Sequence, residues 1–186
     1  MSDFDENDSS TNDCGSSENY SLKSNNTLID NINSILNSLI EENKNLKNYE
    51  EKISYQKKLI FYSHDIPPIT IKDYISRIQS FTDLEDNTLI LSLIYIDKIC
   101  EKASIILSEF NIHKILFSAI LVTIKFNEDI YYNNKIYSKI AGVSARKLKK
   151  MESEFLRLIK FDLYVNKEIF DKYKKYISQI NNNQKE

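Results

Sequence analysis

Two apolar segments constrain the fold of this chain more than any other feature. Residues 89–100 and 112–127 are apolar on most faces of a helix, and such helices are stable in water only when other elements cover them. Neither segment reaches the roughly 18 continuous apolar residues that a membrane span needs. The alternating pattern of strands does not compete with these helical periods. The sequence therefore predicts an all-α orthogonal bundle with no membrane association.

Three further segments predict the helices around this centre. The first follows Pro67 and Pro68, which stop any incoming helix. The second, residues 135–140, ends at Gly142, a usual left-handed terminator. Ser144 can cap the third. The buried stripe of the third helix is predicted to consist of Leu148, Met151, Phe155, Leu158 and Ile159.

Flanking segments extend this five-helix core, which we place at residues 66–165. Residues 1–26 are rich in Ser, Asp, Glu and Asn and nearly free of apolar residues, so we expect them to be disordered. Residues 27–65 are predicted to form a helix capped by Thr27 and then a charged connection, either a solvated continuation or a mobile link. Residues 166–186 are predicted to be a last helix and a polar tail.

The predicted helix at residues 27–42 carries one apolar stripe and therefore needs a partner surface. We expect the stripe to pack on the core of the same chain. A narrow stripe can also be the seam of a coiled coil, so self-association is the alternative. The stripe consists of Ile29, Ile32, Ile35, Leu36, Leu39 and Ile40.

Charge and cysteine content narrow the function classes. A net charge of -2 and a pI near 5.8 give no electrostatic reason to bind nucleic acid, so a protein partner is expected. Cys14 and Cys100 lie too far apart in sequence for a zinc motif and do not form a disulfide framework. We expect a soluble intracellular protein, in the nucleus, the cytoplasm or both. The basic run at residues 147–150 is a weak import signal.

The sequence provides little support for catalysis. His64 and His113 lie in no metal-binding or nucleophile motif, and His113 is expected to be structural. Phosphate-cradling loops need several glycines, whereas Gly15 and Gly142 stand alone. We therefore predict a protein that is not an enzyme and that needs no cofactor or metal.

Three charged residues interrupt the apolar helices. Asp97 lies inside an apolar run, and a buried carboxylate needs a cation, for which Arg77 and Lys98 are the candidates. Lys125 and Glu152 lie on two different predicted helices and could pair and face a partner. Periodicity alone favours an ordinary solvated ion pair.

Four blocks of sequence, in order and at fixed spacing, resemble the single-box P-type or U-type cyclins, the phosphate-cyclin-like branch. They are IPPITIKDYISRI, LILSLIYIDKI, NIHKILFSAILVTIKFNEDIYYNNKIYSKIAGVS and MESEFLRLIKFDLYV. The helix at residues 27–42 also resembles the helix that precedes the box. The resemblance implies a five-helix cyclin box with an extra N-terminal helix and a C-terminal helix.

The resemblance implies a regulatory subunit that binds and activates a cyclin-dependent serine/threonine protein kinase by holding the kinase's regulatory helix in the active position. Lys125 and Glu152 would hydrogen-bond the kinase backbone beside that helix. The residues implied in or near the contact are Val122, Phe126, Leu156, Phe161 and Leu163. The resemblance also favours Arg77 as the partner of Asp97. A cyclin-fold scaffold that does not activate a kinase is the alternative.

One block departs from animal cell-cycle cyclins. Those proteins carry a Met-Arg-Ala-Ile-Leu motif for substrate docking, where this chain has PPITI at residues 67–71. Substrate docking through that patch is therefore not expected.

Overall fold

The computed structural model describes residues 16–82 and 84–180, with side chains from residue 27 onward. These residues form eight α-helices and no strand, which confirms the predicted all-α class. The helices are α1 (Ser16–Lys44), α2 (Tyr49–Gln56), α3 (Ile71–Phe81), α4 (Asp86–Ala103), α5 (Ile112–Asn127), α6 (Asn134–Ala141), α7 (Ala145–Leu158) and α8 (Lys167–Gln179).

Helix α5 forms the centre of the fold. It packs against α4, α6 and α7, and every residue from 115 to 124 is buried. The hydroxyls of Ser118 and Thr123 donate to the carbonyls of Lys114 and Ala119, at 2.7 and 2.8 Å, so burial leaves neither hydroxyl unpaired. In the described part of the chain, no helix is long and apolar enough to cross a membrane.

Helix α1 begins at Ser16, so the prediction that it starts at Thr27 is wrong. Residues 16–26, predicted to be disordered, belong to this helix, while residues 1–15 lie outside the described residues. Helix propagation costs little once a packed segment has formed the nucleus. The part of α1 from residue 27 onward packs on the core of the same chain, as expected. The side chains that do so are Ile29, Ile32, Leu36 and Ile40, each at most 3% exposed.

The charged connection after α1, residues 43–58, is mostly exposed but is not an irregular link. It contains α2, where Ile53 and Gln56 are buried. Phe61 follows, is 1% exposed, and packs edge-on against Phe155 with ring centroids 6.4 Å apart. Phe61 belongs to the main core cluster and thereby ties the end of the connection to the box.

Polar side chains mark where the helices start. Ser144 accepts a hydrogen bond from the backbone N–H of Lys147 at 3.2 Å, so the predicted cap of α7 is confirmed. Asn133 caps α6 in the same way. Gly142 ends α6 with a φ of 70°, the left-handed conformation that glycine adopts without strain.

Candidate functional site

A network of partly buried polar side chains joins three helices at the candidate site. The Nζ of Lys125, near the end of α5, lies 2.7 Å from Oε1 of Glu152 on α7. It also donates to Oδ1 of Asn134, the first residue of α6, at 2.5 Å. The Asn134 amide then donates to the other oxygen of Glu152 at 2.9 Å. The structure thus brings the two predicted charges together and adds a residue that the sequence analysis did not single out.

This network leaves hydrogen-bonding capacity for a partner. Lys125 has three N–H donors, and two of them are used by Asn134 and Glu152. The carboxylate of Glu152 still has free lone pairs. The two side chains are 22% and 17% exposed, so they are held in place but can be reached from outside. The site therefore presents one donor and one acceptor close together at the surface.

The apolar residues that the resemblance implies in or near the contact differ in their exposure. Phe126 and Phe161 are 57% and 69% exposed. Leu156 and Leu163 are partly buried against the core. Val122, implied to lie in or near the contact, is only 3% exposed. It is a core residue, because α5 is covered by α4, α6 and α7 at that depth.

The turn after α7 presents Phe161. The backbone N–H of Phe161 donates to the Leu156 carbonyl at 2.9 Å, and that of Lys160 donates to the Arg157 carbonyl at 3.1 Å. This pair of bonds is the Schellman pattern that closes helix C-termini. Lys160 and Phe161 have φ values of 58° and 54°, which strain residues with a side chain.

Helix α4 anchors the segment that follows this turn. The Tyr95 hydroxyl donates to the Leu163 carbonyl at 2.7 Å. The carboxylate of Asp162 pairs with Lys102 at 2.6 Å and with Lys98 at 3.1 Å. The hydrogen bond from Lys102, followed by that from Lys98, lowers the pKa of Asp162. These contacts fix the segment that directly follows the exposed Phe161.

Comparison with known proteins places the chain in a family. The family model described as Cyclin matches residues 26–163, which is most of the chain. The chain belongs to the cyclin family. Cyclin-U2-1 of Arabidopsis thaliana is 30% identical over 157 residues, which cover 83% of this chain and 71% of that protein. Cyclin-U4-1 of the same organism is 28% identical over 147 residues, 77% of this chain and 73% of that protein.

A fungal relative belongs to the same branch. PHO85 cyclin-7 of Saccharomyces cerevisiae is 28% identical over 172 residues, which cover 82% of this chain and 60% of that protein. These relatives confirm the predicted P/U-type cyclin resemblance. Cyclins are regulatory subunits of protein kinases, so the prediction that the chain is not an enzyme is also confirmed.

The structure of this cyclin corrects the predicted ion pair between Arg77 and Asp97. The Asp97 carboxylate instead accepts a hydrogen bond from the Tyr173 hydroxyl, because α8 packs across α4. The guanidinium of Arg77 donates to the Lys139 carbonyl at 3.3 Å, near the negative end of α6. Desolvation raises the pKa of Asp97, and the bond from Tyr173 opposes that shift. The other candidate, Lys98, is used by Asp162.

His113 has the structural role expected of it. Its Nε2 lies 2.9 Å from the Ile69 carbonyl, and its ring packs edge-on against Tyr74 with centroids 5.2 Å apart. Burial lowers the pKa of His113, which keeps the ring neutral. Within residues 16–82 and 84–180, no group of three or more His, Cys, Asp or Glu side chains could hold a metal.

Asn134 is the residue of the candidate site that sequence reasoning missed. It lies in the block KFNEDIYYNN, which carried the family resemblance without a role for either final asparagine. Asn133 is the cap of α6, and this cap fixes the start of the helix so that Asn134 points its amide between Lys125 and Glu152. The signal was a repeated asparagine before a short helix, and only the packing of three helices separates the two roles.

Proposed function

We propose that this cyclin binds a cyclin-dependent protein kinase through the face formed by Lys125, Glu152 and the apolar side chains beside them, and thereby activates the kinase. The observation that carries the proposal is the Lys125–Asn134–Glu152 network at the edge of the box. It holds one donor and one acceptor in fixed positions, so that little side-chain freedom is lost when a partner binds.

The surroundings of the network support a protein partner. Specific protein interfaces combine an exposed apolar centre with a few charged anchors, and Phe126 and Phe161 supply such apolar surface. Activation requires that the cyclin bind the active kinase more tightly than the inactive kinase. A change from 1% to 99% active takes a difference of about 5.5 kcal/mol, which buried aromatic anchors and two oriented charged groups together can supply.

A charge-swap experiment tests this proposal. In the double variant Lys125→Glu/Glu152→Lys, the internal ion pair is retained with reversed polarity, and a rotated Asn134 amide can again donate to one partner and accept from the other. The box should therefore stay folded while its outer donor and acceptor exchange places. We expect the tagged native chain to recover protein kinase activity and the folded double variant to recover at least tenfold less.

The controls separate loss of binding from loss of structure. Lys72 and Asp30 form another inter-helical pair, 2.6 Å apart and more exposed, and swapping those two charges should leave the recovered activity unchanged. Circular dichroism checks helicity in every variant. Full activity with the Lys125→Glu/Glu152→Lys variant would refute the proposed face. A native chain that recovers no kinase activity would favour a cyclin-fold scaffold that does not activate.

A further inference from the structure

A groove lined by basic residues lies on a different side of α7 from Glu152. Residues 58–60 form one wall, and α7 forms the other; the groove encloses about 700 Å³. Counting 100° per residue, the α7 positions that line it are centred roughly 130° around the helix from Glu152. We call it the basic groove, and its charged lining residues are Lys58, Arg146, Lys149, Lys150, Glu154 and Arg157.

The positive charge of the basic groove is largely uncompensated. Arg157 pairs with Glu154 at 2.6 Å, and Glu154 is the only acidic residue in the lining. Within the described residues, the other four cations of the groove have no carboxylate within 4.0 Å. Such a set of like charges repels itself, and a bound anion would relieve the repulsion.

Two further lysines, Lys114 and Lys147, add positive charge near the groove. Lys114 donates to the Tyr62 carbonyl at 2.6 Å, two residues beyond the 58–60 wall. Burial, followed by the charge of Lys147, lowers the pKa of Lys114 to about 8. Lys147 directly follows Arg146 in α7. The fold therefore holds two ammonium groups close to each other, and an anion bound nearby would relieve their mutual repulsion.

We propose that the basic groove binds a phosphorylated serine or threonine segment of a partner protein. A phosphate carries a charge of about -2 and three acceptor oxygens, so one group can accept hydrogen bonds from several Lys and Arg donors at once. A single carboxylate cannot match that many donors. Leu59 and Ile60 also line the groove and give apolar surface against which neighbouring peptide side chains can pack.

Charge complementarity favours a peptide over a nucleic acid. The chain as a whole has a net charge of -2, which repels a long polyanion but has less effect on a short segment that carries one phosphate.

The acidic residues 1–15 of this chain are a competing occupant. They precede α1, whose 29 residues span roughly 43 Å. The basic groove lies near the opposite end of that helix. Lys44, the last residue of α1, contacts Glu109, and the next residue, Phe110, stacks on Tyr62, which lies two residues after the 58–60 wall.

Fluorescence anisotropy with the full chain tests the proposal directly. The probes are a short fluorescein-labelled alanine-rich peptide with one central phosphoserine and its unphosphorylated twin. We expect saturable binding of the phosphopeptide only. The Arg146→Gln/Lys150→Gln variant should weaken that binding by about tenfold or more, since one hydrogen bond to a charged group is already worth about that factor. Both side chains are exposed, so the variant should fold.

The matched control removes two lysines elsewhere. Lys172→Gln/Lys175→Gln makes the same change in charge on α8, where both residues are also exposed, and should leave the affinity within about twofold. Modification of Lys114 by an amine reagent near neutral pH gives a second readout. Bound phosphopeptide should slow that modification, because the added negative charge favours the protonated ammonium.

Several results would overturn the proposal. These are equal affinity for the two peptides, equal loss of affinity in the Lys172→Gln/Lys175→Gln control, or tighter binding of a short single-stranded RNA. Phosphopeptide binding that appears only after the acidic residues among 1–15 are replaced by amides would assign the groove to that segment instead. The kinase-face variant Lys125→Glu/Glu152→Lys should bind phosphopeptide normally, so failure of the kinase proposal would not affect this result.

Discussion

The C-terminal ends of α6 and α7 in this cyclin share one hydrogen-bonding pattern. The residue in the left-handed position is glycine after α6 and lysine after α7. At the end of α6, Val143 donates to the Ser138 carbonyl at 3.0 Å and Gly142 donates to Lys139 at 3.3 Å. The same two bonds close α7, but there the left-handed position is taken by Lys160, with a φ of 58°. We predict that Lys160→Gly stabilises the protein, although glycine usually destabilises a helix.

The magnitude follows from two opposing terms. The left-handed conformation costs a residue with a side chain roughly 1–2 kcal/mol. Glycine has greater freedom in the unfolded chain, which offsets roughly 0.5–1 kcal/mol of that gain. The expected increase in the free energy of unfolding is therefore about 1 kcal/mol. Conversely, Gly142→Ala should cost about 1 kcal/mol from φ alone, because an added Cβ there would meet no atom within 4 Å.

Urea unfolding followed by circular dichroism measures both changes. With a typical slope, a change of about 1 kcal/mol moves the midpoint by roughly half a molar. Lys160→Ala is the matched control, since it shortens the side chain but keeps the strained φ and should not stabilise. At Lys149, exposed and inside α7, glycine should instead be less stable than alanine by about 1 kcal/mol.

Whether Lys160→Gly raises or lowers the free energy of unfolding relative to Lys160→Ala tests the left-handed backbone of this turn. If Lys160→Gly unfolds at a lower urea concentration than Lys160→Ala, the turn that presents Phe161 does not have the left-handed backbone described here. An unchanged slope of the unfolding curve is required in each case, because a change in slope would mean that the surface exposed on unfolding had also changed.

Two further predictions concern the site and the core. Asn134→Ala should lower the free energy of unfolding by about 1 kcal/mol in urea titrations, since it removes two partly solvated hydrogen bonds to Lys125 and Glu152; an unchanged value would contradict a network held by Asn134. Burial raises the pKa of Cys100 from 9.0 to about 12, so below pH 9 its alkylation should be about a thousandfold slower in the folded than in the unfolded chain. Comparable rates measured by mass spectrometry would exclude that burial.

Much of the helical framework was predictable from local pattern. The boundaries of α5 at residues 112–127, the cap at Ser144 and the terminator at Gly142 match the structure. These features depend on the period of apolar residues and on which side chains can satisfy helix ends, and both are local properties. The placement of Lys125 and Glu152 in one site required the family resemblance as well.

The wrong partner for Asp97 originates in a contact distant in sequence. Asp97 was expected to bond to Arg77, but its partner Tyr173 lies 76 residues away on α8. Residues 16–26, which are poor in apolar residues, were expected to be disordered; they instead continue the helix that the packed part of α1 forms.

By itself, the amino-acid sequence determined where most of the box helices lie and which faces of them are apolar, since helix propensity, capping and period act over a few residues. Only the tertiary structure decided which polar groups meet. It joined Asn134 to Lys125 and Glu152, and placed residues 58–60 beside the basic face of α7. Such pairings depend on how whole helices cross, and that arrangement is set by the packing of the shared core rather than by any one segment.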